Sequence, residues 1–347
     1  MLEDASANPV ASRPRSRRRR RLPIVVAAIC WVIVIALATV ALFRIVAWDD
    51  LEPFAVLNAL TAFVYLPAWV VVVVAAVGRR AFLAGAALLV VLAQIAFLYP
   101  ELSAAQPVPT WAATAPSLRL LDANVYQGNP SMAGYAGEIE AVRPQLVTME
   151  EASPVDVTQL ARAGALADLP YQLEIKRYGS TAFFVASHYP LSDNNVVYFS
   201  AGLPLIVQTT LELPSGPQPL WVVHVIAPLS VSFSEWKGEL ALVDRLLRSR
   251  GSAGLLVVGD FNATWGNKGF RAILDTGLTD GAAARGRAFD MTWSQTKPIV
   301  PPLVRIDHVL TGPGLTVSQI RTGNGPGSDH RDLIATVALH RAPPRGT

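Results

Sequence analysis

Cysteine is almost absent from this 347-residue sequence, which contains only Cys30, inside an apolar run. The rest of the chain therefore contains no disulfide, no thiolate zinc site and no cysteine nucleophile. Any globular domain in the chain must be stabilised by its core. Internal repeats are also absent after residue 117, and nothing there indicates a second domain.

Charged residues are scarce, at 16% of the chain, and the mean hydropathy of +0.36 is high for a soluble protein. The apolar residues concentrate in the runs Ile24–Phe43, Pro53–Val77 and Ala81–Leu98. Each run is long enough to cross a hydrocarbon core of about 30 Å. The sequence therefore predicts three transmembrane helices over residues 22–99. We interpret Asn58 and Gln94 within the runs as hydrogen-bond partners between helices.

Basic residues are distributed unevenly around these runs. Seven arginines lie between Arg13 and Arg21, and Arg79 and Arg80 separate the second run from the third. Because basic flanks stay in the cytoplasm, we expect residues 1–21 to be a cytoplasmic N-terminus. Three crossings then place everything after Tyr99 on the extracytoplasmic side of the cell membrane. A nucleic-acid-binding arm is the alternative for the arginine tract, but its position before a spanning helix favours topology and contact with anionic lipid.

The sequence after the runs divides into three parts. Residues 100–117, PELSAAQPVPTWAATAPS, are rich in proline, alanine and serine and predict a tether. Residues 118–341 predict one globular domain, and residues 342–347 a tail. The domain contains many short apolar strands between Leu118 and His340, with helices predicted at Tyr135–Val142, Val155–Leu169 and Ser234–Leu247. This pattern indicates two packed sheets covered by helices.

Polar residues lie at the ends of several predicted strands. The segments are DANV at 122–125, MEE at 149–151, HVIAP at 224–228, GDFNA at 259–263, RIDHVL at 305–310 and GSDHRD at 327–332. Each has an ordinary explanation by itself, because Asp and Asn are common turn residues and a lone histidine is more often part of a core. Strand ends at one rim of a rigid scaffold are nevertheless where sites are built.

Taken in order, these segments resemble the motifs of the endonuclease/exonuclease/phosphatase superfamily, which includes pancreatic deoxyribonuclease, apurinic endonucleases, inositol polyphosphate 5-phosphatases and neutral sphingomyelinases. The resemblance extends from Leu118 to Leu339, and MTWS at Met291–Ser294 is a further motif of the same kind. It implies an α+β fold, a four-layer α/β/β/α sandwich of two mainly antiparallel sheets flanked by helices. It also implies hydrolysis of phosphoesters with a divalent cation, Mg²⁺ or alternatively Mn²⁺.

The resemblance implies a metal site built from oxygen ligands. Glu151 corresponds to the usual metal ligand, Asn124 is implied to orient the metal or the phosphate, and Asp329 is implied to lie close to the cation. Two positions depart from the pattern: Glu150 stands where many members have glutamine, and Val222 stands where many have asparagine. Neither departure removes an essential group, but both weaken an assignment to a nuclease branch.

The other motif residues are implied in the chemistry itself. His330, paired with Asp307, is expected to hold a proton near the scissile phosphate. Asp260 and Asn262 are expected to position water and the transition-state oxygens. His224 is expected to donate to a phosphate oxygen or to the leaving group. The neighbouring His308 is interpreted as structural.

The order of apolar runs and globular domain resembles a bacterial branch associated with teicoplanin resistance. That resemblance implies a phosphatase or pyrophosphatase acting on lipid-linked phosphate at the outer leaflet, with the bilayer as its partner and no obligatory protein partner. The first alternative is a membrane-tethered nuclease acting on extracellular DNA or RNA, which requires a basic groove. The second is a non-catalytic binding domain, which the retained titratable motif residues disfavour.

Overall fold

The structure is a computed structural model that describes residues 22–177, 180–199, 202–228, 233–295 and 300–340. The arginine tract and the predicted tail at 342–347 lie outside the described residues. Within them, a helical anchor (residues 22–102) precedes a β-sandwich domain (residues 117–340).

The anchor contains helices α1 (Ile24–Val46), α2 (Glu52–Ala59), α3 (Thr61–Val64), α4 (Leu66–Val77) and α5 (Ala81–Leu102). Both α1 and α5 are long and apolar enough to cross a membrane. The second predicted span is broken, because α2 meets the α3–α4 segment at a bend of 80°. Pro67 lies in the first turn of α4, where its missing N–H costs no helical hydrogen bond, so a new helix starts there. The described residues thus contain two candidate spans, or three if the bent pair forms one.

Small residues and one amide hold the anchor helices together. Ala68 and Ala75 of α4 and Ala87 of α5 have no exposed surface, which allows the helices to approach closely. Gln94 of α5 accepts a hydrogen bond from Trp69 Nε1 at 2.8 Å and donates to backbone oxygens in α3. Its predicted role between helices is confirmed.

The sandwich domain contains twelve described strands. They are β1 (Ser117–Asn124), β2 (Leu146–Glu150), β3 (Tyr171–Arg177), β4 (Ser180–Ser187), β5 (Leu191–Tyr198), β6 (Pro204–Leu213), β7 (Gly216–His224), β8 (Leu256–Asp260), β9 (Thr279–Asp280), β10 (Asp307–Thr311), β11 (Leu315–Thr322) and β12 (Leu333–Leu339). One six-stranded sheet has the order β11-β12-β1-β2-β4-β3, and the other has the order β5-β6-β7-β8-β10-β9.

Helices cover the outer faces of both sheets. They are α6 (Met132–Val142), α7 (Pro154–Arg162), α8 (Phe233–Arg250) and α9 (Lys268–Leu274). The short helix α10 (Gly281–Ala284) instead contacts β10 and β11, and its Ala282 belongs to the core between the sheets. A capping box between Ser153 and Asp156 starts α7, and Gly164, with φ +77°, follows its last turn. The helix therefore ends earlier than the predicted Leu169. The short elements α9, α10 and β9 were not predicted, because segments this short carry little periodicity.

Side chains alternate between an inner core and two outer cores. Leu120 and Val258 lie in the core between the sheets, whereas Leu121 packs under α6 and α7 and Val257 packs under α8 and α9. The result is the four-layer α/β/β/α sandwich that the family resemblance implied, and that prediction is confirmed.

The register of the central strands brings the polar motifs to one edge. β1 and β2 run parallel in one sheet, with Asn124 opposite Glu150, and β7 and β8 run parallel in the other, with His224 opposite Asp260. Asp307 at the start of the antiparallel β10 also pairs with Asp260. We call this rim, where β1, β2, β7 and β8 end, the site edge.

The segment between anchor and sandwich is not the free tether that its composition predicted. Helix α5 continues through Leu102, and a 3-10 helix, Thr110–Ala113, lies just before β1. The Gln106 N–H donates to Ala284 O at 3.0 Å, and Glu101 forms an ion pair with the buried Arg305. These contacts hold the segment against the domain, because a buried guanidinium requires a charged partner.

Candidate active site

The buried carboxylate of Asp260 lies at the centre of the site edge. Its oxygens accept hydrogen bonds from Asn262 N at 2.7 Å, from Asn124 Nδ2 at 3.1 Å and from Asn262 Nδ2 at 3.1 Å. Burial, together with the nearby carboxylate of Asp307, raises the pKa of Asp260 to about 8. Burial disfavours the ionised form of this carboxyl, whereas a positive neighbour favours it.

His330 is that neighbour. Its Nδ1 lies 3.0 and 3.1 Å from the two carboxylate oxygens of Asp307, and its Nε2 lies 3.8 Å from Asp260 Oδ2. Burial alone lowers the pKa of His330, but the carboxylates of Asp307 and Asp260 outweigh it and raise this pKa to about 10. The imidazole is therefore protonated at neutral pH, held by Asp307 and directed at Asp260.

Glu151 leaves the end of β2 in the left-handed region, with φ +58°. Its carboxylate accepts from Asn124 Nδ2 at 3.1 Å and from Gln127 N at 3.2 Å, and it lies 3.6 Å from His224 Nε2. Burial raises the pKa of Glu151, but His224 and the Asn124 hydrogen bond outweigh burial and lower it below its ordinary value. The carboxylate is therefore held ionised and half-buried at the site edge.

Two further predicted residues complete the site edge. Asp329 Oδ1 lies 3.9 Å from His330 Nε2, and Trp293 Nε1 donates to Asp329 Oδ2 at 3.0 Å. Asn262, with φ +46°, donates its amide to Val225 O at 2.8 Å. The structure therefore brings every sequence-predicted site residue into one connected set.

A divalent cation fits the chemistry of this set. Glu151 is an ionised carboxylate whose oxygens carry lone pairs beyond those used by Asn124 and Gln127, and Asp329 is a second carboxylate nearby. Such oxygens are the ligands that Mg²⁺ and Mn²⁺ prefer. Asn124 presents its amide nitrogen to Glu151, while its Oδ1 accepts from Tyr126 N at 3.1 Å, which fits an orienting role.

The group Asp260, Asp307 and His330 is also compact, with potential ligand atoms within 4.8 Å of one another. A doubly protonated imidazole has no lone pair for a metal. Because the pKa of His330 is about 10, we interpret this group as a charge-paired triad. Glu151 and Asp329 stay the predicted metal-binding residues.

Sequence reasoning missed a layer of acidic groups behind the site edge. Glu150 and Asp122 are buried, and Thr148 Oγ1 donates to Asp122 at 2.5 Å. Burial and the neighbouring carboxylates raise the pKa of both residues well above their ordinary values. The only signal was the first glutamate of MEE, since strand alternation sends Glu150 inward. The other departure, Val222, is a member of the inner core.

His308 has the structural role that was expected. It is fully buried on the opposite side of β10 from Asp307, with Nε2 3.0 Å from Ala263 O and Nδ1 3.0 Å from Asp280 Oδ2. Its partners belong to the scaffold beneath the site edge.

The sequence profile of the Endonuclease/Exonuclease/phosphatase family matches residues 123–330, which is more than half of the chain. The chain belongs to this family. Members of the Endonuclease/Exonuclease/phosphatase family hydrolyse phosphodiester or phosphate ester bonds with a divalent metal, so this chain is a hydrolase. No curated protein sequence is significantly similar to it.

Solved structures of the family share the fold at low sequence identity. Humanised TDP2 from D. rerio is 16% identical, with a TM-score of 0.53 over 64% of this chain and 99% of that chain. The 3′ phosphatase NExo from Neisseria, solved with a product DNA hairpin, is 15% identical, with a TM-score of 0.51 over 63% and 98%. A family protein from Bacteroides thetaiotaomicron is 15% identical, with a TM-score of 0.52 over 65% and 99%. These likenesses show the fold.

Proposed function

We propose that the chain is a membrane-anchored, extracytoplasmic phosphatase or pyrophosphatase that acts on lipid-linked phosphate at the outer leaflet. The observation that carries this proposal is the short path from site to anchor. Gly266 O accepts hydrogen bonds from Arg44 Nη1 at 3.0 Å and from Trp48 Nε1 at 2.7 Å, at the end of α1. Gly266 lies four positions after Asn262 in the chain, and four residues span at most about 14 Å.

If α1 crosses the membrane, the contact between Gly266 and the end of α1 supports a site close to the bilayer surface. Trp48 follows the last turn of α1, and tryptophan is typical of the membrane–water interface. A site within about 14 Å of that level lies at the headgroups, where a lipid-linked phosphate is found. The anchor thereby raises the concentration of the site near such substrates.

The reaction follows from the charges at the site edge. Glu151 and Asp329 would hold a Mg²⁺ or Mn²⁺ ion, which would supply positive charge to neutralise the phosphoryl oxygens. His330, oriented by Asp307, holds a proton at Nε2 beside Asp260, where charge develops in the transition state. Asp260 and Asn262 position the attacking water, and His224 donates to a phosphate oxygen or to the leaving group.

A nuclease remains the second candidate function. Tyr126 beside Asn124 is 51% exposed and Trp293 beside Asp329 is 37% exposed, so both rings are accessible for stacking on bases. Basic residues that a nucleic-acid groove would need are engaged elsewhere: Lys237 pairs with Asp50, and Arg271 stacks on Trp265. These pairings favour a substrate that is bound mainly through its phosphate.

One assay separates the two functions. Full-length protein in lipid nanodiscs with Mg²⁺ is offered a long-chain lipid pyrophosphate, a short-chain soluble phosphoester and DNA. We expect the fastest phosphate release from the lipid substrate, and release about 100-fold slower by the Glu151→Gln variant. Rapid DNA cleavage without turnover of the lipid would replace the lipid phosphatase by the nuclease.

A further inference from the structure

The interface between anchor and sandwich is polar and buried, which is unusual for a part that only tethers. Asp49, in the loop after α1, is 3% exposed and accepts hydrogen bonds from Lys268 N at 2.5 Å and Asn58 Nδ2 at 2.7 Å. Lys268 N is the first backbone N–H of α9, so a carboxylate of the anchor caps a helix of the sandwich domain. Asn267 Nδ2 completes the contact by donating to Ala55 O at 3.0 Å.

Gly266 shows how closely the two parts approach. A Cβ atom built on Gly266 lies 1.9 Å from the backbone oxygen of Asn58 in α2. Only glycine therefore permits the close approach that lets Gly266 O accept from Arg44 and Trp48.

A second contact joins α5 to β10. Arg305, 3% exposed, donates through Nη2 to Glu101 at 2.5 Å and through Nη1 to Asp280 at 2.7 Å. Trp265 Nε1 also donates to Asp280 Oδ2, at 2.9 Å. The cluster of Glu101, Arg305, Asp280, His308 and Trp265 therefore connects the anchor to two of the chain segments that carry site residues, the one after β8 and the one that begins β10.

Both contacts are made by residues that lie close in the chain to residues of the site. Asn262 lies four residues before Gly266, and Asp307 lies two residues after Arg305. The two segments also pair with each other, because Asp307 lies opposite Asp260 in the β8–β10 ladder. A displacement of either segment therefore changes the Asp307–His330–Asp260 geometry.

Buried ion pairs contribute little net stability, because desolvation offsets their attraction, so their effect is mainly to select one geometry. We propose that Glu101 and Asp49 are positioning residues for the reaction, which hold the β8–α9 and β10 segments in place and make the anchor part of the active-site scaffold. The proposal holds for any phosphoester that the site hydrolyses, whether lipid or soluble.

A double-mutant cycle in the full-length protein tests Glu101. With a soluble phosphoester in nanodiscs, we expect Glu101→Gln to lower kcat about tenfold and to leave KM within about twofold. In an Asp307→Asn background the same change should cost less than about twofold, because Glu101 acts through the segment that holds Asp307. The matched control is Glu52→Gln, at an exposed glutamate of α2, which should change neither constant.

Hydrogen–deuterium exchange provides a readout that does not require turnover. Trp48→Phe keeps an aromatic side chain, although a smaller one, and removes the indole N–H that donates to Gly266 O, so this variant is expected to fold. We expect faster exchange at residues 262–268 in Trp48→Phe and at residues 305–309 in Glu101→Gln, with β1 and β2 unchanged. An unchanged kcat with unchanged exchange, or an equal loss of kcat in both backgrounds of the cycle, overturns the proposal.

Discussion

The charge of Asp260 depends on the groups around it at the site edge. Its buried carboxylate is held by the amides of Asn124 and Asn262 and faces His330 Nε2 at 3.8 Å. Because burial raises its pKa to about 8, its charge depends on the histidine and on any bound cation. Substitutions of single residues in the site therefore test the charges of the site more than its shape.

Glu151→Gln tests the metal site. The amide has the size of the carboxylate but binds a hard cation poorly, so we expect kcat to fall about 100-fold with the fold intact. Phosphate release measured against Mg²⁺ and Mn²⁺ concentration, with circular dichroism as the folding control, provides the test. Full turnover by this variant, or by the native protein in excess chelator, contradicts a metal-dependent reaction.

The pair formed by His330 and Asp307 should act as a unit. We expect His330→Ala and Asp307→Ala each to lower kcat by about 100-fold or more, and the double variant to be little worse than either single variant. Kinetics of the three variants on one substrate measure this. Losses that multiply would mean that the 3.0 Å contact is not used in the reaction.

His330 also predicts how stability depends on pH without metal. Its pKa of about 10 in the folded protein exceeds its ordinary value of 6.5, so its contribution is fully present below about pH 6.5 and is lost as the pH rises through about 10. We expect the chelated protein to lose up to about 1.4 kcal/mol per pH unit in this window. Below pH 8 the raised pKa of Asp260 acts in the same direction. Thermal unfolding in chelator measures the slope, and an unchanged slope above pH 8 in His330→Gln contradicts the assignment.

At the scale of elements, strand ends and helix starts determine where these residues lie. Gly259, with φ +126°, allows β8 to approach β7 so closely that a Cβ would lie 2.1 Å from Val223 O. That approach puts Asp260 beside His224 in the parallel β7–β8 ladder. On the outer side, α9 begins under the cap provided by Asp49.

Gly266→Ala tests the contact between the β8–α9 segment and α2. The new methyl group lies 1.9 Å from Asn58 O, so one backbone must move, and we expect a loss of roughly 1–3 kcal/mol in stability together with lower kcat. Gly85→Ala in α5 is the matched control, because a Cβ there meets nothing within 4 Å. It should leave stability unchanged or raise it by up to about 1 kcal/mol. Equal thermal stabilities for the two variants contradict the close contact.

At the scale of the whole molecule, anchor and sandwich form one connected unit. The polar contacts through Asp49, Gly266 and Arg305 link residues more than two hundred positions apart, for example 204 positions between Glu101 and Arg305. Truncation before β1 removes the partners of buried polar groups, so the isolated domain should lose activity even on soluble substrates. Experiments on mechanism therefore require the full chain.

The side of the membrane that holds the sandwich domain is the prediction at this scale. The arginines before α1, Arg79 and Arg80 after α4, and three crossings, with the bent α2–α4 segment counted as one span, predict that the domain lies outside the cytoplasm. Protease added to intact spheroplasts should degrade the domain, while a cytoplasmic marker protein in the same sample stays intact. Protection of the domain until the membrane is permeabilised contradicts the topology.

The sequence by itself determined which segments form the apolar helices, which form the strands, and which carry the polar motif residues. Local signals sufficed for α1 and α5, for most strands and for the motif residues from Asn124 to His330, because apolar runs and strand-end polar groups are properties of contiguous residues. The family follows from the order of those motifs, and the match over residues 123–330 confirms it. The roles of the individual site residues and the teicoplanin-resistance branch stay predictions.

Only the tertiary structure determined which residues of the anchor contact the sandwich domain. The sequence around Glu101 reads as a proline-rich tether, yet packing places this carboxylate on Arg305 and brings Asp49 to the start of α9. Likewise, the second apolar run is uniform in composition but bends by 80° at α2. These contacts join residues that are far apart in the chain, so local sequence patterns do not predict them. Each buried charged group needs a partner of opposite charge or a hydrogen-bond donor, and that partner is determined only when the helices pack against the sheets.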